Sequence, residues 1–135
     1  MQFLGNIEAK MDAKTRVFVP AAFRKILQTS GQNTLILRKD IFQDCLILYP
    51  LQVWEDEVAR LRSRLNRWYR AQQALFRQFV VAVVRLELVA NGRILIPKRY
   101  FLMVGIVSEL RFLGGDTIIE IRAHESLDDT LIYAY

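Results

Sequence analysis

The sequence predicts an α+β fold, mainly β, in which two related halves form a pseudo-dimer within one chain and a helical insertion separates them. Three observations support this prediction. A motif of Arg, three apolar residues and Pro occurs at residues 16–20 and again at residues 93–97. Short runs of alternating apolar and polar residues flank the motif, as expected for half-buried strands. Between the two copies, apolar residues recur at every third or fourth position, which is typical of helices.

The first copy begins with a strand and a tight loop. Ile7, Ala9 and Met11 alternate with polar residues, which is the two-residue period of a strand with one buried face. Residues 12–16 are mostly polar and are expected to form the loop. Alternation then resumes at residues 17–19, which predicts a second short strand.

A helix and two more strands complete the first copy. Pro20 indicates the helix start, because it keeps Val19 extended and presets a φ suited to helix entry. Gly31 is expected to end the helix, since glycine readily adopts positive φ. Apolar runs at residues 34–38 and 45–49 predict the two strands.

The insertion is predicted to contain two helices, residues 51–65 and 67–81, with Asn66 as an N-cap between them. The apolar stripe expected to pack inward consists of Trp54, Val58, Leu61, Leu65, Trp68, Leu75 and Phe79. The other face carries Arg60, Arg62, Arg64, Arg67, Arg70 and Arg77. This arginine face is either a phosphate-binding surface or an ordinary solvated helix face, and the pattern does not distinguish the two.

The second copy repeats the first at an offset of 77 residues (93 minus 16). Pro97 again indicates a helix start and Gly105 a helix stop. Strands are expected at residues 106–112 and 117–122. Residues 113–116, Leu-Gly-Gly-Asp, are a strong signal for the hairpin turn that joins them.

Three segments follow from this division: a first repeat at residues 1–50, a helical insertion at 51–81 and a second repeat at 82–135. The net charge of +5 fits a polyanionic partner. The first repeat is one source of it, because it holds seven Lys and Arg against four acidic residues.

Few residues of the chain suit catalysis or metal binding. Cys45 is the only cysteine and lies in an apolar run, so a buried, inert thiol is expected. His124 is the only histidine and is expected to be a solvated surface residue. No nucleophile–base pair, carboxylate dyad, glycine-rich phosphate loop or Cys/His zinc cluster can be assembled. We therefore expect no enzyme activity, cofactor, metal or small-molecule substrate.

The cellular location is expected to be the cytoplasm. No run approaches the roughly 20 apolar residues of a membrane-spanning helix. Residues 1–5 lack the basic and apolar regions of a signal peptide. No membrane partner is expected.

Several motifs closely resemble the MraZ family. They are Phe3-Leu4-Gly5, the stretch DAKTRVFVPAAFR at residues 12–24, the Trp54 helix and NGRILIP at residues 91–97. The resemblance covers nearly the whole chain. It implies two tandem SpoVT-AbrB swapped-hairpin β-barrel domains and ring-shaped homo-oligomers. It also implies a nucleoid-associated bacterial repressor that binds double-stranded DNA at G-containing direct repeats upstream of the division and cell-wall gene cluster.

The resemblance also implies that the loops bearing Arg16 and Arg93 contact DNA. Asp12, four residues before Arg16, is expected to orient the guanidinium for bidentate recognition of guanine. Two positions depart from the family pattern. Thr15 replaces the usual glycine, so the loop either avoids positive φ or is strained there, and its hydroxyl is a candidate phosphate contact. Val89 replaces the second Asp, so the main specificity is assigned to the Arg16 loop.

Further candidate DNA contacts are Lys14, Lys98 and Arg99, which are expected to meet phosphate, and Asn91 on the second loop. For Lys98 and Arg99 the stronger alternative is that they point into water, because cations at a helix start oppose the helix dipole.

Other interpretations remain open. Arg16 could be a surface residue that only stabilises a turn with Asp12, although its recurrence as Arg93 without an acid argues against this. The chain could be an oligomeric scaffold or a protein-binding ring. It could also bind RNA or a membrane surface, in which case Arg64 and Arg67 should matter more than Arg16.

Overall fold

The computed structural model describes residues 1–124, and it is α+β, mainly β, as predicted. In chain order, its elements are β1 (Asn6–Lys10), β2 (Arg16–Phe18), α1 (Ala21–Thr29), β3 (Thr34–Lys39), β4 (Leu46–Pro50), α2 (Leu51–Arg64), α3 (Arg70–Val81), β5 (Val83–Glu87), β6 (Arg93–Leu95), α4 (Lys98–Met103), β7 (Glu109–Gly115) and β8 (Ile118–Ala123). Among the described residues, no helix combines the length and apolar character needed to cross a membrane.

The strands form a six-stranded antiparallel sheet, in the order β1-β7-β8-β4-β3-β5, and a two-stranded ribbon of β2 and β6. The first strand of each half crosses to the other half: β1 pairs with β7, and β5 pairs with β3. The ribbon likewise takes one strand from each half. The halves are therefore interlocked, which confirms the predicted pseudo-dimer.

An approximate twofold axis relates the two halves. Rotation about it exchanges β1 with β5, and the offset between these strands is again 77 residues, since 83 minus 6 equals 77. The axis passes between β4 and β8, the central antiparallel pair of the sheet. It also passes through the ribbon, where Val17 lies opposite Ile94.

The main core lies between one face of the sheet and a layer formed by α1, α4 and the ribbon. Leu46 and Leu48 point into it from β4, and Val17 and Ile94 point into it from the ribbon. Its largest fully buried side chains are the rings of Phe3, Phe23, Phe101 and Phe112. Because both halves supply these side chains, neither half buries a core by itself.

The helix boundaries of the two repeats match the predicted signals. Pro20 and Pro97 directly precede α1 and α4. Gly31 and Gly105 follow the helices with φ of +70° and +72°. After each helix a backbone N–H closes the end in the same way: Gln32 donates to Leu27 O and Ile106 donates to Phe101 O.

The insertion packs on the opposite face of the six-stranded sheet. Trp54 of α2 stacks on Phe79 of α3 with ring centroids 4.9 Å apart, and its edge meets Tyr49 of β4. Arg38 of β3 contacts the rings of Tyr49 and Phe79 and donates from Nε to the Tyr49 hydroxyl. Burial raises the pKa of Tyr49, so this hydroxyl keeps its proton.

Two details of the predicted insertion are wrong. The second helix begins at Arg70 rather than residue 67, because Asn66 accepts the Trp68 N–H within a turn instead of capping the helix. Trp68 and Leu75 do not pack inward: Trp68 is 86% exposed and Leu75 is also exposed. The periodicity did not predict this, because only the parts of α2 and α3 near Trp54 and Phe79 pack on the sheet.

The predicted turn and strand start of the last hairpin also need correction. Gly114 and Gly115 lie within β7, and the turn follows at residues 116–117, where Asp116 has a φ of +69°. Gly114 is required because a Cβ there would lie 2.3 Å from the backbone oxygen of Phe3, which pairs with Asp116 beside the strand. The strand begins at Glu109 rather than residue 106.

Cys45 and His124 differ in outcome. Cys45 is buried, as predicted, and burial raises the pKa of its thiol to about 11, which disfavours the reactive thiolate. His124 is not simply solvated, because its Nε2 lies 2.9 Å from Glu8 Oε1 and its Nδ1 lies 3.9 Å from Glu109 Oε2. It therefore joins the last described residues to β1 and β7.

Candidate nucleic-acid interface

Two equivalent loops precede the strands of the ribbon. In the first, the Asp12 N–H donates to Arg16 O and the Thr15 N–H donates to Asp12 O. In the second, the Val89 N–H donates to Arg93 O and the Gly92 N–H donates to Val89 O. Each is a three-residue hairpin connection with a left-handed residue directly before the arginine.

The Asp12 carboxylate organises the first loop. Its Oδ1 accepts the backbone N–H of Lys14 at 2.8 Å and that of Arg16 at 2.9 Å. Its Oδ2 accepts the Arg16 Nε–H at 2.7 Å. These contacts, led by the Arg16 backbone N–H, lower the pKa of Asp12, so the carboxylate stays ionised near neutral pH. Because Arg16 bonds Asp12 through Nε, its two terminal nitrogens remain available to donate hydrogen bonds to another partner.

Thr15 adopts a φ of +61°, so the strained alternative of the sequence-based prediction is the observed one. Its counterpart Gly92 has a φ of +88°. A β-branched residue is costly in this region of φ, whereas glycine is not. The loop thus keeps the glycine geometry without the glycine.

The second loop lacks a carboxylate, and its arginine is held differently. Asn91 Oδ1 accepts the Arg93 backbone N–H at 3.4 Å, a long bond that replaces only one of the three made by Asp12. The Nε of Arg93 is buried and has no acceptor among the described residues. The Arg93 guanidinium instead lies over the ring of Phe18, with its carbon 5.4 Å from the ring centroid.

The ribbon brings Arg16 and Arg93 onto one exposed face. Arg16 lies opposite Leu95, and Arg93 lies opposite Phe18. Residues that are paired or two positions apart share a face, and the intervening Val17 is buried. From strand spacing, the two arginine Cα atoms are roughly 8 Å apart across the ribbon diagonal. This face can therefore present two cationic, multiple hydrogen-bond donors to one ligand.

The remaining predicted site residues surround this ribbon. Lys14 and Asn91 are exposed on the two loops. Lys98, at the start of α4, lines the same groove as Asp12 and Thr15, so the second half contributes a cation beside the first loop. Arg99 is exposed and lies over Tyr100, with 4.8 Å between the guanidinium carbon and the ring centroid.

Three residues near the loops were not selected from sequence. Phe18 and Leu95 lie on the ribbon face. Each comes two residues after an arginine, and in a strand this spacing places both side chains on the same face. Arg24 of α1 packs on the second loop, where a Cβ at Gly92 would lie 2.0 Å from Arg24 Nη1. No local signal in the sequence predicts that contact, because it joins residues of different halves.

The arginine face of the insertion is separate from the ribbon. The insertion covers the face of the sheet that bears Ile47 and Tyr49, whereas the ribbon packs on the face that bears Leu46 and Leu48. Part of the arginine face is used within the insertion, since Arg62 lies over Phe76. The structure thus does not join this face to the two loops.

Comparison with known proteins gives a consistent result. A family model described as "MraZ protein, putative antitoxin-like" matches residues 2–77. A Bacteroides fragilis protein named transcriptional regulator MraZ is 57% identical over 125 residues, which cover 93% of this chain and 79% of that protein. Proteins with the same name from Phocaeicola vulgatus and Christiangramia forsetii are 54% and 34% identical, over 98% and 97% of this chain and 86% and 84% of their own lengths.

Proposed function

The chain belongs to the MraZ family of transcriptional regulators, and we propose that it binds double-stranded DNA sequence-specifically through the loops bearing Arg16 and Arg93. As a repressor, it would occupy G-containing direct repeats upstream of the division and cell-wall gene cluster. It would act in the cytoplasm, on the nucleoid.

The observation that carries this proposal is the shared ribbon face. A two-stranded ribbon fits the major groove, and a guanidinium there can donate two parallel hydrogen bonds to guanine O6 and N7. Arg16 and Arg93 lie on this face at opposite corners. One ribbon would therefore contact two guanines in nearby base pairs.

The two arginines would contribute unequally. Arg16 is held by Asp12 through a 2.7 Å bond to Nε, which favours a single orientation of the guanidinium. Arg93 has no carboxylate partner among the described residues. We assign the main base specificity to Arg16, and phosphate contacts to Lys14, Thr15, Lys98 and Arg99.

A ring-shaped homo-oligomer would repeat the ribbon along the DNA. Several weak ribbon contacts would then combine through effective concentration. Large apolar side chains at the surface away from the ribbon support self-association, since such residues are common at protein contacts. They include Ile41, Phe42, Trp68 and Tyr69.

The decisive experiment is a footprint and gel shift on the DNA upstream of this protein's own gene, with the native chain and Arg16→Ala. We expect Arg16→Ala to abolish protection of the guanines while light scattering shows an unchanged oligomer. Arg93→Ala should cause a smaller loss. Affinity should fall with salt, since phosphate contacts release counterions.

Arg64→Ala and Arg67→Ala are the matched controls, because they remove the same charge on the other side of the sheet. Binding that depends on Arg64 and Arg67 but not on Arg16 would support an RNA or membrane surface instead. Equal binding to promoter and scrambled DNA by every variant would favour the scaffold hypothesis and overturn the proposal.

A further inference from the structure

We infer that Phe18, contributed by the first half, is the residue that positions Arg93 of the second half for DNA, in place of the missing carboxylate. The inference rests on the proposed function of the ribbon. In this inference, a side chain of the first repeat orients the arginine of the second repeat.

The geometry of the two arginines is the first step. Arg16 lies directly opposite Leu95 in the ribbon, and Arg93 lies directly opposite Phe18. Only the second of these pairs joins a guanidinium to an aromatic ring, and the separation is 5.4 Å. That distance is within the range of a cation–π contact.

The hydrogen bonds of the two arginines are the second step. The Nε of Arg16 donates to Asp12, whereas the Nε of Arg93 is buried without an acceptor among residues 1–124. Val89 occupies the position equivalent to Asp12, as the matching loop hydrogen bonds show. Each arginine thus has one orienting partner: a carboxylate at Arg16 and an aromatic ring at Arg93.

A contact with the ring face suits an arginine that must also recognise a base. The ring restricts the guanidinium without accepting an N–H, so the terminal donors remain available for guanine. Phe18 is able to do this because 55% of it is exposed on the same ribbon face. It is a positioning residue, acting on DNA through Arg93.

The test uses the full-length protein and the DNA upstream of its gene, with individual guanines replaced by 7-deazaguanine, which lacks the N7 acceptor. Arg16→Ala and Arg93→Ala first identify the guanines that depend on each arginine. Phe18→Leu should then weaken binding by roughly two- to fivefold, the range of an exposed cation–π contact, and reduce sensitivity only at the Arg93-dependent guanines.

Three further variants separate positioning from a structural role. Phe18→Trp should retain native binding, because it keeps an aromatic face. Val89→Asp should restore binding to Phe18→Leu, because it supplies an acceptor to Arg93 Nε. Leu95→Ala is the matched control: Leu95 is equally exposed, at 57%, but faces Arg16, so it should leave the sensitivity of the Arg93-dependent guanines unchanged.

The inference is overturned if Phe18→Leu keeps native sensitivity at the Arg93-dependent guanines, or if Val89→Asp fails to restore binding. The second result would mean that Phe18 contacts DNA itself. It is also overturned if Arg93→Ala has no effect while Arg16→Ala does. If neither Arg16→Ala nor Arg93→Ala weakened DNA binding, the proposed function itself would be refuted. The two failures are therefore distinguishable.

Discussion

Thr15 and Gly92 hold the same left-handed position in two equivalent loops, and each accepts a hydrogen bond from the opposite half. The Ile96 N–H donates to Thr15 O at 3.2 Å, and the Val19 N–H donates to Gly92 O at 2.9 Å. These bonds extend the ribbon beyond both of its ends. The conformation of each arginine loop is therefore tied to the other half of the chain.

Replacing Thr15 by glycine should stabilise the protein. Thr15 has a φ of +61°, where a side chain is strained and glycine is not. Part of that gain is offset because glycine makes the unfolded chain more flexible. We expect the free energy of unfolding to rise by about 1 kcal/mol in urea denaturation, and Thr15→Ala to show little of the gain. A less stable Thr15→Gly protein would contradict this account.

The reverse change at Gly92 should be destabilising. A Cβ at Gly92, whose φ is +88°, would lie 2.0 Å from Arg24 Nη1, so the Arg24 side chain must move. The clash and the positive φ act together, so we expect Gly92→Ala to lower the free energy of unfolding in urea denaturation by about 1 to 2 kcal/mol. An additional Arg24→Ala should recover the part that is due to the clash. No recovery would show that φ alone is responsible.

Asp12 should titrate below its ordinary value. Hydrogen bonds, mainly from the Arg16 backbone N–H, lower its pKa from 3.8 in the folded protein. Because the folded pKa is lowered, the stabilising contribution is complete above pH 3.8 and disappears as pH falls through the lower, folded value. An NMR titration of the carboxyl carbon should therefore have its midpoint below 3.8. A midpoint at or above 3.8 would contradict the carboxylate's role in the loop.

The pseudo-symmetry of the fold could be predicted because both repeats have the same local sequence patterns. The motifs around Arg16 and Arg93 share their apolar spacing, their proline and their glycine stop, and all of these features depend on neighbouring residues. The motifs also resemble a family with exchanged strands. Local patterns by themselves do not select the partners of a strand, so the pairing of β1 with β7 was not predicted.

The contacts between halves were beyond the reach of sequence reasoning. Val89 was recognised as a missing acid, but the compensating position of Phe18 follows only from the ribbon register. The exposure of Trp68 was missed for a similar reason, because helical periodicity identifies an apolar stripe but not whether the partner surface extends along it.

Gly114 and Gly115 should differ in their tolerance of alanine. A Cβ at Gly114 would lie 2.3 Å from the backbone oxygen of Phe3, which cannot move without disturbing a buried ring. A Cβ at Gly115 would meet the Ile118 side chain at 3.1 Å, which can adjust. We expect Gly114→Ala to lower the free energy of unfolding by about 2 kcal/mol and Gly115→Ala by much less. Equal effects on thermal denaturation would be inconsistent with the close approach of the Phe3 backbone to Gly114.

Two tryptophans of the insertion provide a matched pair for testing how it is attached. Trp54 is 8% exposed and stacks on Phe79 against the sheet, whereas Trp68 is 86% exposed. Trp54→Ala should lower the free energy of unfolding by about 3 kcal/mol, because it leaves a cavity between α2, α3 and the sheet. Trp68→Ala should have almost no effect on the isolated fold in urea denaturation. If Trp68→Ala were the more destabilising with the oligomeric state unchanged, Trp68 would pack inward, as the apolar stripe predicts.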